Sequence, residues 1–182
     1  MKVTQLAIPE VCLIEPQAFG DARGFLLVSW QDDVFRREVT DVAFVQDNQS
    51  RSKKGTLRGL HYQKEHTQGK LVRCAVGRIW DVAVDVRRSS PTFGQWVAAE
   101  LSEENHHQLW IPPGFAHGFL VLSESADLHY KVTDRYHPAS ERTLLWNDAT
   151  VGVTWPVPEG VAPLLSPKDA AGSSFADLEA LA

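Results

Sequence analysis

Between Lys70 and Val86 the chain reads KLVRCAVGRIWDVAVDV, two alternating runs broken at Gly77. A period of two marks a β-strand, because successive side chains point to opposite faces of a sheet. In the second run Trp80, Val82, Val84 and Val86 fall on one face and Asp81 and Asp85 on the other. The pattern predicts a hairpin with one buried face. From Val11 to about Trp155 the texture repeats as short runs rich in Val, Leu, Phe and Trp, punctuated by Gly, Pro, Asn and Ser. Helical spacing is confined to QDDVFRREV near Gln31 and to SSFADLEALA, where Ser173 or Ser174 stands at a capping position. The expectation is an all-β sandwich or jelly-roll barrel with short peripheral helices. A single domain should cover residues 1–182, with a C-terminal segment from about 156 to 182, opened by the Pro-rich stretch Trp155–Pro167, packed over the barrel.

Charge and hydropathy exclude several functions. The formal charge is −5, with 23 acidic against 18 basic residues, and no basic run is longer than two. That is not the footprint of a nucleic-acid binder, so any phosphate site is local. No stretch approaches the roughly 20 apolar residues that span a bilayer, and MKVTQLAIPE lacks the apolar core of a signal peptide. The expectation is a soluble, cytoplasmic protein without membrane partners. Cys12 and Cys74 are too few and too far apart for a disulfide framework or a zinc site, and read as reduced thiols.

Several residue types can carry chemistry. In RGLHYQ, Arg58, His61 and Gln63 lie on a predicted strand that contains Gly59. Strict alternation sends Arg58 and His61 to opposite faces, so both reach one pocket only if Gly59 sits at a bulge or kink. Alone, His61 reads equally as a hydrogen-bonded structural histidine or as a base. In QGKLVR, Lys70 shares its face with Val72, Cys74 and Val76. Such a lysine either finds a partner inside or snorkels its head to water. In ADLHYKVTD, Leu128, Tyr130 and Val132 face the core, with His129 and Lys131 opposite. An inward tyrosine is either packing with a satisfied hydroxyl or a proton donor in a pocket. His117, after the turn in WIPPGFAHGF, fits a ligand, a substrate contact or a turn-stabilising group, whereas His66, His106, His107 and His137 read as surface residues.

The motifs FGDARGF, FVQDNQS, LRGLHYQ, QGKLVR, DVAVDVRRSSPTFGQW, QLWIPPGFAHGFLVLS, YKVTDRY, WND and LLSPKDA run in this order from about Phe19 to Ala170. Together they closely resemble the dTDP-4-dehydrorhamnose 3,5-epimerase family. The resemblance implies a cupin-type jelly roll, or double-stranded β-helix, in a homodimer with exchanged strands. It implies His61 as general base, Asp169 as the carboxylate that orients it, Tyr130 as general acid and Lys70 as the cation beside the C4 oxygen. Substrate contacts carry over to Arg23, Gln46, Asp47, Asn48, Arg58, His117, Glu141 and Lys168, with Phe19 as an apolar wall that can reach the partner's pocket. The implied substrate is a dTDP-linked 4-keto-6-deoxyhexose, epimerised at C3 and C5 on the way to dTDP-L-rhamnose or a related deoxysugar, with no cofactor and no metal. Two positions depart from the family. Val28 stands where a nucleotide-binding Glu is common and Arg135 where a Tyr is common, which leaves the nucleotide base open.

The chemistry fits these residue types. Hydrogens beside a ketone are acidic because the carbanion delocalises as an enolate, so a histidine near neutral pKa can remove one. Inversion needs a proton from the other ring face, hence an acid opposite the base. Three rivals remain at the level of sequence. One is an epimerase acting at C3 or C5 alone. Another is a non-catalytic nucleotide-sugar-binding cupin. The third is a metal-dependent cupin, but the His-x-His pair it needs reads His61-Tyr62-Gln63 here.

Overall fold

The computed structural model describes Met1–Ala182. Its early strands are β1 (Lys2–Gln5), β2 (Cys12–Glu15), β3 (Ala18–Asp21), β4 (Gly24–Leu27), β5 (Gln46–Lys53), β6 (Leu57–Gln63) and β7 (Lys70–Val76). The later ones are β8 (Arg78–Asp85), β9 (Trp96–Ser102), β10 (Gln108–Ile111), β11 (Phe115–Val121), β12 (Ser125–Val132) and β13 (Glu141–Thr143). Two helices complete the chain, α1 (Asp32–Glu38) and α2 (Pro167–Ala170). A six-stranded sheet in the order β1-β2-β10-β7-β12-β5 faces a five-stranded sheet in the order β13-β6-β11-β8-β9, and β3-β4 form a separate hairpin. All strand pairs are antiparallel. The result is the all-β jelly roll with short peripheral helices that the sequence predicts.

Three apolar layers hold the sheets. Val72, Leu109 and Leu128 from the six-stranded sheet meet Ile79, Leu101 and Phe119 from the five-stranded sheet in the central core. On the outer face of the five-stranded sheet, Leu57, Val82, Val84 and Leu120 are covered by Val151, Trp155 and Leu178 from the segment after β13. On the outer face of the six-stranded sheet, Ile14, Leu71 and Trp110 are covered by Phe35 of α1. Helix α1 sits where the spacing near Gln31 predicts it, with Asp32 and Asp33 in its first turn and Arg36 and Arg37 in its last, matching the helix dipole. Cys12 and Cys74 are buried free thiols. No helix is long and apolar enough to cross a membrane.

The predicted hairpin about Gly77 does not form. β7 pairs with β10 and β12, whereas β8 pairs with β9 and β11. At Gly77 the chain therefore crosses from one sheet to the other. The crossing needs glycine, since φ is +77° and an added Cβ would lie 2.1 Å from the Ser125 carbonyl oxygen. Alternation sets which face a residue takes but says nothing about which strand lies beside it. Nor is only one face of β8 buried. Val82 and Val84 lie under the C-terminal segment, while Asp81 and Asp85 are fully buried on the barrel side. Asp85 is satisfied there by Arg87, Ser90 and Thr92, as a buried carboxylate must be.

The expected C-terminal helix is also absent. In SSFADLEALA, Leu181 instead exchanges backbone hydrogen bonds with Val86 and Arg88 beside the end of β8, at 2.9 and 2.8 Å. A ten-residue helix is marginal alone, and docking gives this stretch both backbone partners and burial of Leu178, 5% exposed. The one helical turn in the C-terminal region is α2, capped by Ser166, whose hydroxyl accepts from the Asp169 N–H.

Candidate active site

A cavity of about 420 Å³ lies within the barrel, lined from both sheets and from the α2 segment. Gln46, Asn48 and Tyr130 come from the six-stranded side, Arg58, His61 and His117 from the five-stranded side. Arg58 and His61 reach it together because β6 bulges. His117 pairs with His61 and Phe119 with Arg58, so β6 carries one extra residue across that interval. Gly59 occupies the irregularity with φ +121°, and an added Cβ would sit 2.5 Å from Gly118 Cα. The kink anticipated at Gly59 is thus what turns both side chains inward.

His61 Nε2 lies 2.6 Å from Asp169 Oδ1. Asp169, 3% exposed, also accepts from the Ser166 hydroxyl at 2.6 Å and the Gly59 N–H at 3.2 Å. Burial pushes this carboxyl's pKa up, but the His61, Ser166 and Gly59 hydrogen bonds outweigh it and hold the value at about 2. An ionised Asp169 accepts a hydrogen bond from the His61 Nε2–H, a tautomer that leaves the Nδ1 lone pair free. Asp169→Asn is therefore expected to lower kcat by at least about tenfold with KM little changed, because the amide can present its N–H and select the wrong tautomer. Steady-state kinetics would check it, and unchanged kcat would reject this role.

Lys70 does not snorkel. It is 8% exposed, its Nζ donates to the His61 carbonyl at 3.3 Å, and its head borders the cavity. Burial lowers its pKa to about 8, against the opposing pull of Asp81 and Glu141. It remains a cation at neutral pH with donors to spare for a bound oxygen. Tyr130 lines the cavity from β12, and burial raises its pKa despite the Arg58 charge, so its hydroxyl stays protonated and able to donate.

The remaining polar groups are mutually braced. His117 Nε2 lies 2.9 Å from Asp81 Oδ2. Burial lowers the His117 pKa against the attraction of Asp81, which favours a neutral ring. Glu141 accepts from Lys168 Nζ at 2.9 Å and from the Tyr136 hydroxyl at 2.9 Å. Although burial raises the Glu141 pKa, those two donors bring it below its ordinary value. Gln46 Nε2 donates to Asn48 Oδ1, and Arg58 Nε to Ser52 Oγ.

Three expected contacts lie elsewhere. Asp47 points to the opposite face of β5 from Gln46 and Asn48, and pairs with Lys131 at 2.9 Å. Period-two geometry forbids all three from sharing one side. Phe19, 60% exposed, and Arg23, paired with Asp21 at 2.6 Å, sit on the projecting β3-β4 hairpin, away from this chain's own cavity. Val28 is exposed and apart from the cavity as well, and the Arg135 side chain is exposed. Sequence reasoning did not single out Asp81, Ser166 or Tyr136. The first two left signals. A carboxylate inside an apolar strand demands a partner, and Ser166-Pro167-Lys168-Asp169 has the form of a capping box with proline at N1. The imidazoles of His61 and His117 are each tied to a separate carboxylate, and Gln63 turns its amide to loop carbonyls. These donors do not converge as a facial triad would require.

A jelly-roll barrel whose interior holds a carboxylate-bound histidine, an inward tyrosine and a buried lysine is a cupin-type protein equipped for proton transfer. The dTDP-4-dehydrorhamnose 3,5-epimerase family model matches residues 5–177, and the chain belongs to that family. It is 56% identical over 180 residues to dTDP-4-dehydrorhamnose 3,5-epimerase of Pseudomonas aeruginosa, covering 98% of each chain. It is 54% identical over 179 residues to the enzyme of the same name from Neisseria gonorrhoeae, covering 98% of this chain but spanning 54% of that longer relative. A solved dTDP-6-deoxy-D-glucose-3,5-epimerase from Legionella pneumophila, in complex with dTDP-4-keto-L-rhamnose, superposes with a TM-score of 0.94 at 50% identity, covering 98% of this chain and 94% of the other.

Proposed function

We propose that this protein inverts C3 and C5 of dTDP-4-dehydro-6-deoxy-D-glucose to give dTDP-4-dehydro-L-rhamnose, in dTDP-L-rhamnose or related deoxysugar biosynthesis. The observation that carries the reading is the placement of His61, bound to Asp169, and Tyr130 on opposite sheets around one cavity, with Lys70 buried between strands at its wall. In this reading His61 Nδ1 removes the hydrogen beside the ketone, and the Lys70 ammonium stabilises the oxygen on which the enolate charge collects. Tyr130 then delivers a proton to the other ring face, completing the inversion.

Arg58 and Lys168 supply donors for diphosphate and sugar oxygens, while His117, whose N–H is taken up by Asp81, completes the polar lining with Gln46, Asn48 and Glu141. Residues 1–182 act as one domain, with the segment from about 156 closing over the five-stranded sheet. The molecule works as a cytoplasmic homodimer with exchanged strands, in which the β3-β4 hairpin carries Phe19 and Arg23 to the partner's cavity. The exposure of that hairpin on both faces supports this reading.

The test is incubation with dTDP-4-keto-6-deoxy-D-glucose in D₂O, followed by NMR. Deuterium at both C3 and C5 is expected. Label at one carbon would replace the proposal with a single-position epimerase, and no label with tight nucleotide binding would replace it with a binding module. In Tyr130→Phe, inversion should fall by about 10²–10⁴-fold, the usual worth of a positioned acid, while His61-driven exchange persists. Normal inversion by this variant would remove Tyr130 from the mechanism.

A further inference from the structure

Outside the central cavity, the loop between β6 and β7 meets the loop after β12. His66 from the first and Asp134 and His137 from the second bring their ligating atoms within 4.8 Å of one another. The two imidazoles stack with centroids 3.8 Å apart and planes 14° from parallel. His66 Nδ1 lies 3.4 Å from Asp134 Oδ2.

This meeting is organised from beneath. Gln63 is 5% exposed. Its amide donates to the carbonyls of His66 at 2.6 Å and Arg135 at 3.2 Å, and accepts from the His137 N–H at 2.7 Å. Gln68 adds a bond to the Asp134 carbonyl at 2.8 Å. The Gln63 side chain thus holds both loops in register, so the three donors are carried on a fixed base.

Two imidazoles and one carboxylate form the donor set that borderline divalent ions of the zinc class prefer, with further positions left to water. Such an ion sits about 2.0–2.2 Å from each donor, which sets the donors about 3.4 Å apart. His66 and Asp134, 49% and 41% exposed at their side chains, are free to rotate, and the His66 ring turns out of its stack on His137 to aim its nitrogen lone pair at the ion. We propose that His66, Asp134 and His137 bind one zinc-class divalent cation, which ties two loops together at the rim of the cavity. The rim position follows from the neighbours, since Gln68 and Tyr136 line the cavity while none of the three ligands does. The site is independent of the epimerase reading.

Isothermal titration of the full chain with ZnCl₂ in a non-chelating buffer tests it. One saturable ion per chain is expected, retained in His61→Ala and weakened by at least about tenfold in His66→Ala/His137→Ala, a loss that even outer-shell changes can cause. Should that double variant fail to fold by circular dichroism, His66→Gln, altering one exposed ring, takes its place with the same expectation. No saturable binding by the wild type, equal binding by the His66 variants, or loss of the ion in His61→Ala would each overturn the proposal.

Discussion

His61→Ala is expected to lower turnover by about 10²–10⁴-fold and to leave C3 and C5 of the keto sugar without solvent deuterium. The size follows from the absence of a substitute base. Asp169 is held at a pKa of about 2, too weak a base to take the proton, and Lys70 is a cation at neutral pH. Folding should survive, because Asp169 keeps the Ser166 hydroxyl and the Gly59 N–H after the imidazole is gone. Deuterium incorporation by NMR, alongside thermal unfolding, separates the two effects. Exchange near the wild-type rate would refute His61 as the base.

Lys70→Met is expected to lower kcat by about 10²–10³-fold, the cost of removing one preorganised donor from a developing oxyanion, with a smaller change in KM. The charge also sets an alkaline limit. A lysine is cationic below its pKa, so with a value of about 8 wild-type turnover should fall as pH rises through that point. Stability moves the other way. Between about pH 8 and 10.4 the unfolded chain keeps the Lys70 proton that the folded chain has released. The Lys70 contribution therefore stabilises the fold progressively across that window. A rate profile flat to pH 10, or a Lys70→Met enzyme of normal kcat, would contradict the assignment.

Much of this site was legible as parity. Alternation sets Tyr130 inward and His129 outward, and the glycine beside Arg58 marks the bulge that makes that residue and His61 neighbours in the cavity. Partnership was less legible. The same alternation in KLVRCAVGRIWDVAVDV predicts a hairpin, because it encodes faces and not the sheet into which each run inserts. The bond between His61 and Asp169 joins positions 108 residues apart, and local pattern carries no such distance; the family resemblance supplied it. Asp81 carries no such mark, because its strand is covered on both faces, which an alternating run does not announce. The same parity separates Asp47 from Gln46 and Asn48, since three consecutive residues of an extended strand cannot all face one cavity.

Asp169 belongs to the segment that covers the outer face of the five-stranded sheet and follows every barrel strand in the chain. A ribosome thus delivers the barrel and the imidazole before it delivers the carboxylate bonded to that imidazole. An unfinished chain could enclose a cavity yet hold His61 without a fixed tautomer. In the proposed mechanism, competence for proton transfer therefore requires this later segment to be in place on the barrel.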